Sequence, residues 1–189
     1  GRAVPALSHG VNLVLHALVA ALTTSLLLRL RPGRSLLALA AGLLVAIHPL
    51  ATCSVALLTG RSALLGSVFG LLALHAFHAY RPGPVAWAAW AGALLLLSLL
   101  ACEGLVGLAC VPFILDAAAG RGGPLRAARA RWPAYLAWFA GLAAWALLWS
   151  QHGPGSSSVP TPDAGLGERV ALGLEALARA GQRLILPVG

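Results

Sequence analysis

The chain contains no lysine and no methionine, and only five acidic residues. Charged residues make up 10% of its 189 positions, where a soluble domain carries about 25%. That shortage excludes a surface that faces water on every side. The roughly ten-residue alternation of an outer-membrane barrel is also missing. No Walker A, GxSxG or HExxH motif occurs, so the common soluble-enzyme signatures are excluded. Cys53, Cys102 and Cys110 lack zinc-ligand spacing, and neither a metal site nor a cofactor is expected. No signal peptide is visible. The missing methionine, the start at Gly1 in a loop, and the stop at LILPVG as an apolar stretch begins predict a piece of a longer protein.

Apolar residues dominate what is there. They make up 59% of the chain, with a mean hydropathy of +0.86. Several runs approach the roughly 20 residues that cross a bilayer. The expected fold is all-α: a polytopic helical membrane protein with about six transmembrane helices and an external amphipathic helix. The spans are expected near Gly10–Leu28, Leu36–Ile47, Ser62–Tyr80, Val85–Ala101, Gly104–Leu115 and Pro133–Trp149. Residues 1–150 are the transmembrane region, 151–167 an external loop rich in Gly, Pro and Ser, and 168–189 an interfacial helix leading to a further span. In that helix Val170, Leu174, Leu177 and Leu184 oppose Glu168, Glu175, Arg179 and Arg183, which is helical spacing.

The net charge of +8 comes from arginine alone. In a soluble protein a pI near 11.3 would point to nucleic acid. Here the arginines fall in short loops between apolar runs, so they set topology and touch membrane lipids, and no nucleic-acid partner is expected. Arg29, Arg31, Arg34, Arg81, Arg121, Arg126, Arg129 and Arg131 occupy three loops that fall on one side of a six-span layout. That side is expected to be cytoplasmic. Tyr80, Trp87, Trp132 and Tyr135 then mark the inner interface, and Trp145 and Trp149 the outer one. The richness in Ala, Leu, Gly and Arg resembles a GC-rich bacterial genome.

On the external side this layout collects His9, Asn12 and His16 on one face of the first helix, His48, Cys53 and Arg61 at the ends of the next two, and Glu103 in a tight turn. Ionisable groups at membrane depth are functional candidates, here for an anion site. Each also has a local reading. Arg61 alone can snorkel to the interface, His48-Pro49 can end a helix, and Glu103 can favour a helix N-terminus. His75 and His78 are read as interfacial, and Asp116 as an inner-surface partner of the nearby arginines.

The segments SHGVNLVLHAL, AIHPLATCSVALLTGRSALLG and LLSLLACEGLVGLACVPFILD resemble, in order and spacing, the multispanning transmembrane-and-tetratricopeptide-repeat O-mannosyltransferases. These belong to the GT-C superfamily of polyprenol-phosphate-sugar-dependent glycosyltransferases. His9, Asn12 and His16 match the family's H-x-x-N-x-x-x-H. His48, Pro49, Thr52, Val55, Gly60 and Arg61 match its His-Pro to Gly-Arg motif. Glu103 matches the acid of its S-K-E, and Pro112 and Asp116 the following Pro and Asp. The family's Glu is Cys53 here, its Asp after the arginine is Ala63, and its Lys before the acid is Cys102.

The resemblance implies transfer of a mannose-like sugar from a polyprenol phosphate to a protein or glycan hydroxyl. Arg61, His48, His9, His16 and Asn12 would bind the donor phosphate, with Glu103 as a supporting acid. The implied setting is the bacterial inner membrane, with the site facing the periplasm. The catalytic base is expected upstream of residue 1 and tetratricopeptide repeats after residue 189. The family's Glu and Lys at 53 and 102 would be an ion pair. Cys53 and Cys102 are therefore either close enough for a disulfide or two small residues filling helix contacts, while Cys110 is expected as a buried thiol. A non-catalytic membrane module is the alternative to an enzyme. A transporter is a third reading, without the internal repeats such folds show.

Overall fold

In the computed structural model the described residues are 5–48, 55, 60–80, 84–118 and 129–152. The chain divides into two units, Gly1–Gln151 and His152–Gly189, and the contacts below lie within the first. Cys53, the stretch from residue 153 and the expected interfacial helix lie outside the described residues.

The described residues are helical and contain no strand. The elements are α1 (Pro5–Leu30), α2 (Ser35–Ile47), α3 (Arg61–Ala79), α4 (Val85–Ala101), the 3-10 segment η1 (Glu103–Cys110), α5 (Val111–Ala118) and α6 (Trp132–His152). Proline and glycine set several of these limits. Gly33, at φ +95, makes the turn between α1 and α2, a conformation that side chains resist. His48 is extended (φ −65, ψ 131), as expected before Pro49, and α2 stops there. Ser8–Leu30, Arg61–Ala79 and Trp132–Ser150 are long and apolar enough to cross a bilayer; α2 and α4 are shorter apolar helices.

The fifth expected span is two elements. Glycines at 104 and 107 weaken α-helix, and residues 103–110 wind as 3-10 helix. Pro112 then sits in the first turn of α5, where its missing N–H is tolerated. In 3-10 geometry the Ala109 carbonyl would accept from residue 112, which has no N–H to give. The indole of the buried Trp138 on α6 donates to it instead, at 3.2 Å.

α3 is the centre of the packing. It lies against α1, α4 and η1, while α2 lies against α1. Small residues let the backbones approach. On α3, Gly66 and Gly70 face Ser98, Cys102 and Leu108, and the Ser98 hydroxyl donates to the Gly66 carbonyl at 2.8 Å. On α4, Gly92 meets the Ala137 backbone, and Gly141 on α6 meets Gly92 in return. Gly66/Gly70, Ala88/Gly92 and Ala137/Gly141 are small residues four apart, the pattern that lets helices pack closely in lipid.

Polarity runs inside out. Asn12, His16, His75, Ser98, Asp116 and Arg131 are buried. Leu36, Leu37, Leu39, Leu43, Leu44 and Ile47 of α2 are all exposed, and only Ala38 and Gly42 of that helix are buried. So much exposed apolar surface is unusual for a protein in water.

Candidate functional site

Arg61 opens α3 and reaches across to α1. Its Nε donates to Asn12 Oδ1 at 3.3 Å, and its Nη2 to the Ser8 carbonyl at 3.4 Å. The Asn12 amide donates in turn to the Val55 carbonyl at 3.2 Å. Asn12 is fully buried and Arg61 half-buried, so a buried amide orients a partly desolvated guanidinium. One turn deeper, His16 Nε2 lies 3.1 Å from the Ala46 carbonyl of α2. The spacing of Asn12 and His16 thus ties α1 to both neighbours.

The local electrostatics at Arg61 are unusual. No side chain caps α3 at Gly60. Among the described residues no carboxylate lies in ion-pair range of Arg61. Gly60 before it is itself helical (φ −69, ψ −12), so the field offered to an anion here is that of the guanidinium.

The other expected site residues are placed less uniformly. His48 is half-buried at the end of α2, whereas His9 and Glu103 are exposed. Glu103 follows Cys102, which faces Gly66 of α3; the acid therefore stands at the same end of the α3–α4 pair as Arg61. Cys102 is a half-buried free thiol. Its juxtaposition with Cys53 falls outside the described residues. Cys110 is exposed rather than buried, because 3-10 winding at three residues per turn changes the face on which residue 110 emerges.

At the far end of α3 a second cluster forms. Arg131 Nη1 donates to Asp116 Oδ1 at 2.8 Å, and the Tyr135 hydroxyl to Asp116 Oδ2 at 2.7 Å. Arg131 Nη2 contacts the carbonyls of Phe77, His78 and Tyr80 at 3.2–3.3 Å, and the guanidinium stacks over the Phe77 ring at 5.0 Å. These are carbonyls that a helix C-terminus leaves orphaned. The expected pairing of Asp116 with an arginine of the 119–132 loop is present, and the cluster is a fully satisfied structural junction. Tyr80 and Tyr135, expected at an interface, are buried in it.

His75 also departs from its interfacial reading. It is buried, with Nδ1 2.9 Å from the Leu71 carbonyl and Nε2 2.8 Å from Ser25 Oγ. A carbonyl only accepts, so Nδ1 donates to Leu71, and the single proton of the Ser25 hydroxyl faces both Nε2 and the Leu22 carbonyl at 3.1 Å. This pair lines a groove of about 480 Å³ between α1, α3 and α4. Neither the Ser25–His75 pair nor the groove is legible in the sequence, because Ser25 follows Thr23 and Thr24 and only the packing of α1 on α3 shows which of the three hydroxyls meets a histidine.

Among the described residues no group of three His, Cys, Asp or Glu side chains could hold a metal ion. No protein-family profile, no curated protein and no solved structure matches the chain.

Proposed function

We propose that this chain is the helical membrane portion of a glycosyltransferase that moves a mannose-like sugar from a polyprenol-phosphate donor to a protein or glycan hydroxyl. The observation that carries the reading is Arg61, half-buried and oriented by buried Asn12, with no acid in ion-pair range among the described residues. When the sugar leaves its carrier, the bond from the anomeric carbon to the phosphate oxygen breaks and negative charge gathers on the lipid phosphate. A pre-oriented guanidinium stabilises that charge. His16, His48 and His9 complete the proposed phosphate end, with Glu103 as a supporting acid. The general base for the acceptor hydroxyl is assigned to no described residue.

The exposed apolar surface supports a bilayer location. In the proposed layout α1, α2, α3, α4, η1 with α5, and α6 are six crossings of a bacterial inner membrane. The arginine bias of the loops supports a periplasmic position for the Arg61 end. The chain's partners are then the polyprenol-linked sugar, membrane lipids and tetratricopeptide repeats further along the polypeptide.

A non-catalytic module is the second reading. It is favoured by Cys53, Ala63 and Cys102, which stand where the resembled family carries charged side chains. Photocrosslinking with a polyprenyl phosphate bearing a diazirine near its phosphate tests the proposal. Adducts should map to the Ser8–His16 and Arg61 segments. Adducts confined to the Arg29–Arg34 or Arg129–Arg131 end would refute it. Binding without sugar transfer, in the longer protein, would select the non-catalytic module.

A further inference from the structure

We propose that the groove between α1, α3 and α4 is a second lipid site, which holds one anionic glycerophospholipid at the end of the helices opposite Arg61. The proposal rests on the bilayer location given above, and not on the glycosyltransferase reading. Arg29 stands in the last turn of α1, roughly 25 Å along that helix from Asn12 at 1.5 Å per residue. The two cationic positions therefore serve different ends of the molecule.

The groove has the parts of an amphiphile site. Its volume, about 480 Å³, falls within the roughly 300–1,000 Å³ of ligand pockets. Leu22, Leu72 and Leu94 give it apolar walls for an acyl chain. Arg29 is the charged residue of its lining, no acid lines it, and no carboxylate is paired with Arg29 among the described residues. Charge complementarity therefore favours a net-anionic headgroup, which has no cation of its own to repel Arg29, over a zwitterionic or neutral one. Trp87 and Trp90 line the groove and stay 46% and 60% exposed, as side chains do at the level of lipid headgroups.

The Ser25–His75 pair adds specificity. Ser25 Oγ lies 2.8 Å from His75 Nε2 and 3.1 Å from the Leu22 carbonyl and lines the groove; in the proposed complex its free acceptor capacity takes a hydrogen bond from a headgroup hydroxyl. A glycerol headgroup supplies that hydroxyl, and choline does not. The pair sits in the same groove as Arg29, so one lipid can meet both.

The test uses the full chain, reconstituted in mixed phosphatidylglycerol and phosphatidylcholine vesicles and released for native mass spectrometry. The wild type should retain one phosphatidylglycerol, in at least fivefold preference to phosphatidylcholine. Arg29→Gln and the groove-filling Ala76→Trp should abolish the preference, Arg29→Lys should keep most of it, and Arg34→Gln should leave it unchanged. Millimolar inorganic phosphate should not displace the lipid, because the acyl chain contributes to binding. Equal retention in Arg29→Gln and Arg34→Gln, or equal retention of the two lipids by the wild type, overturns the site. Displacement by phosphate would reduce it to an anion contact and overturn the lipid assignment. Ala76→Trp is read only if its circular dichroism matches the wild type; otherwise Arg29→Gln decides alone. Failure of every variant to float with vesicles would instead overturn the bilayer location.

Discussion

Arg131 and Asp116 form an ion pair at 2.8 Å, largely out of contact with solvent. Removing one partner of a buried pair costs about 3–5 kcal/mol. The two sides are not equivalent here. Without Arg131, Asp116 keeps only the Tyr135 hydroxyl, and the carbonyls of Phe77, His78 and Tyr80 lose that donor. Arg131→Met should therefore destabilise more than Asp116→Asn, and the double variant should cost less than the sum. Unfolding by a denaturing detergent checks this. Singles within about 0.5 kcal/mol of wild type, the range of ordinary surface changes, would contradict it.

The crossing of α4 and α6 depends on Gly92 and Gly141, each facing the other helix's backbone. A backbone cannot yield as a side chain tip can, so Gly92→Ala should cost about 1–3 kcal/mol through overpacking. Gly10 in α1 has open space around a would-be Cβ. Gly10→Ala should be neutral or stabilising by up to about 1 kcal/mol through helix propensity. Melting temperatures in one detergent compare the two, and the opposite order would refute the packing account.

The sequence carries the helices well and the tertiary junctions poorly. Apolar runs bounded by Pro and Gly place α4 at Val85–Ala101 and α2 within a residue, because helix ends follow local chemistry. The 3-10 winding of 103–110 is not legible; it depends on packing against α3 and α4 as well as on two glycines and Pro112. Arg131 cannot be singled out from its three loop neighbours, since only the position of the α3 carboxyl end distinguishes it. For the site, spacing puts Asn12 and His16 on one face and marks Arg61. It cannot show that Asn12 holds Arg61, or that His9 and Glu103 remain exposed.

Sidedness gives a separate prediction. Single cysteines at Ser8 and Ser62, on a background freed of native cysteine, should react with an impermeant maleimide from the face opposite a cysteine at Ala130. Inside-out vesicles should reverse the pattern. Labelling of Ser62→Cys and Ala130→Cys from the same face would contradict the layout, which puts the two ends of α3 on opposite sides.

The central claim is that Arg61 is a phosphate-binding group, and its most direct measurement is the affinity of the purified full chain for a short-chain polyprenyl phosphate in micelles. Arg61→Gln removes the charge but retains a hydrogen-bonding side chain. It should weaken binding at least tenfold, about 1.4 kcal/mol, a lower bound just under the roughly 1.5–3 kcal/mol of a hydrogen bond to a charged group. Asn12→Leu should weaken it in the same direction by freeing the guanidinium. Arg34→Gln, in the exposed loop between α1 and α2, should leave the affinity unchanged. Equal affinity for Arg61→Gln and Arg34→Gln would contradict the account.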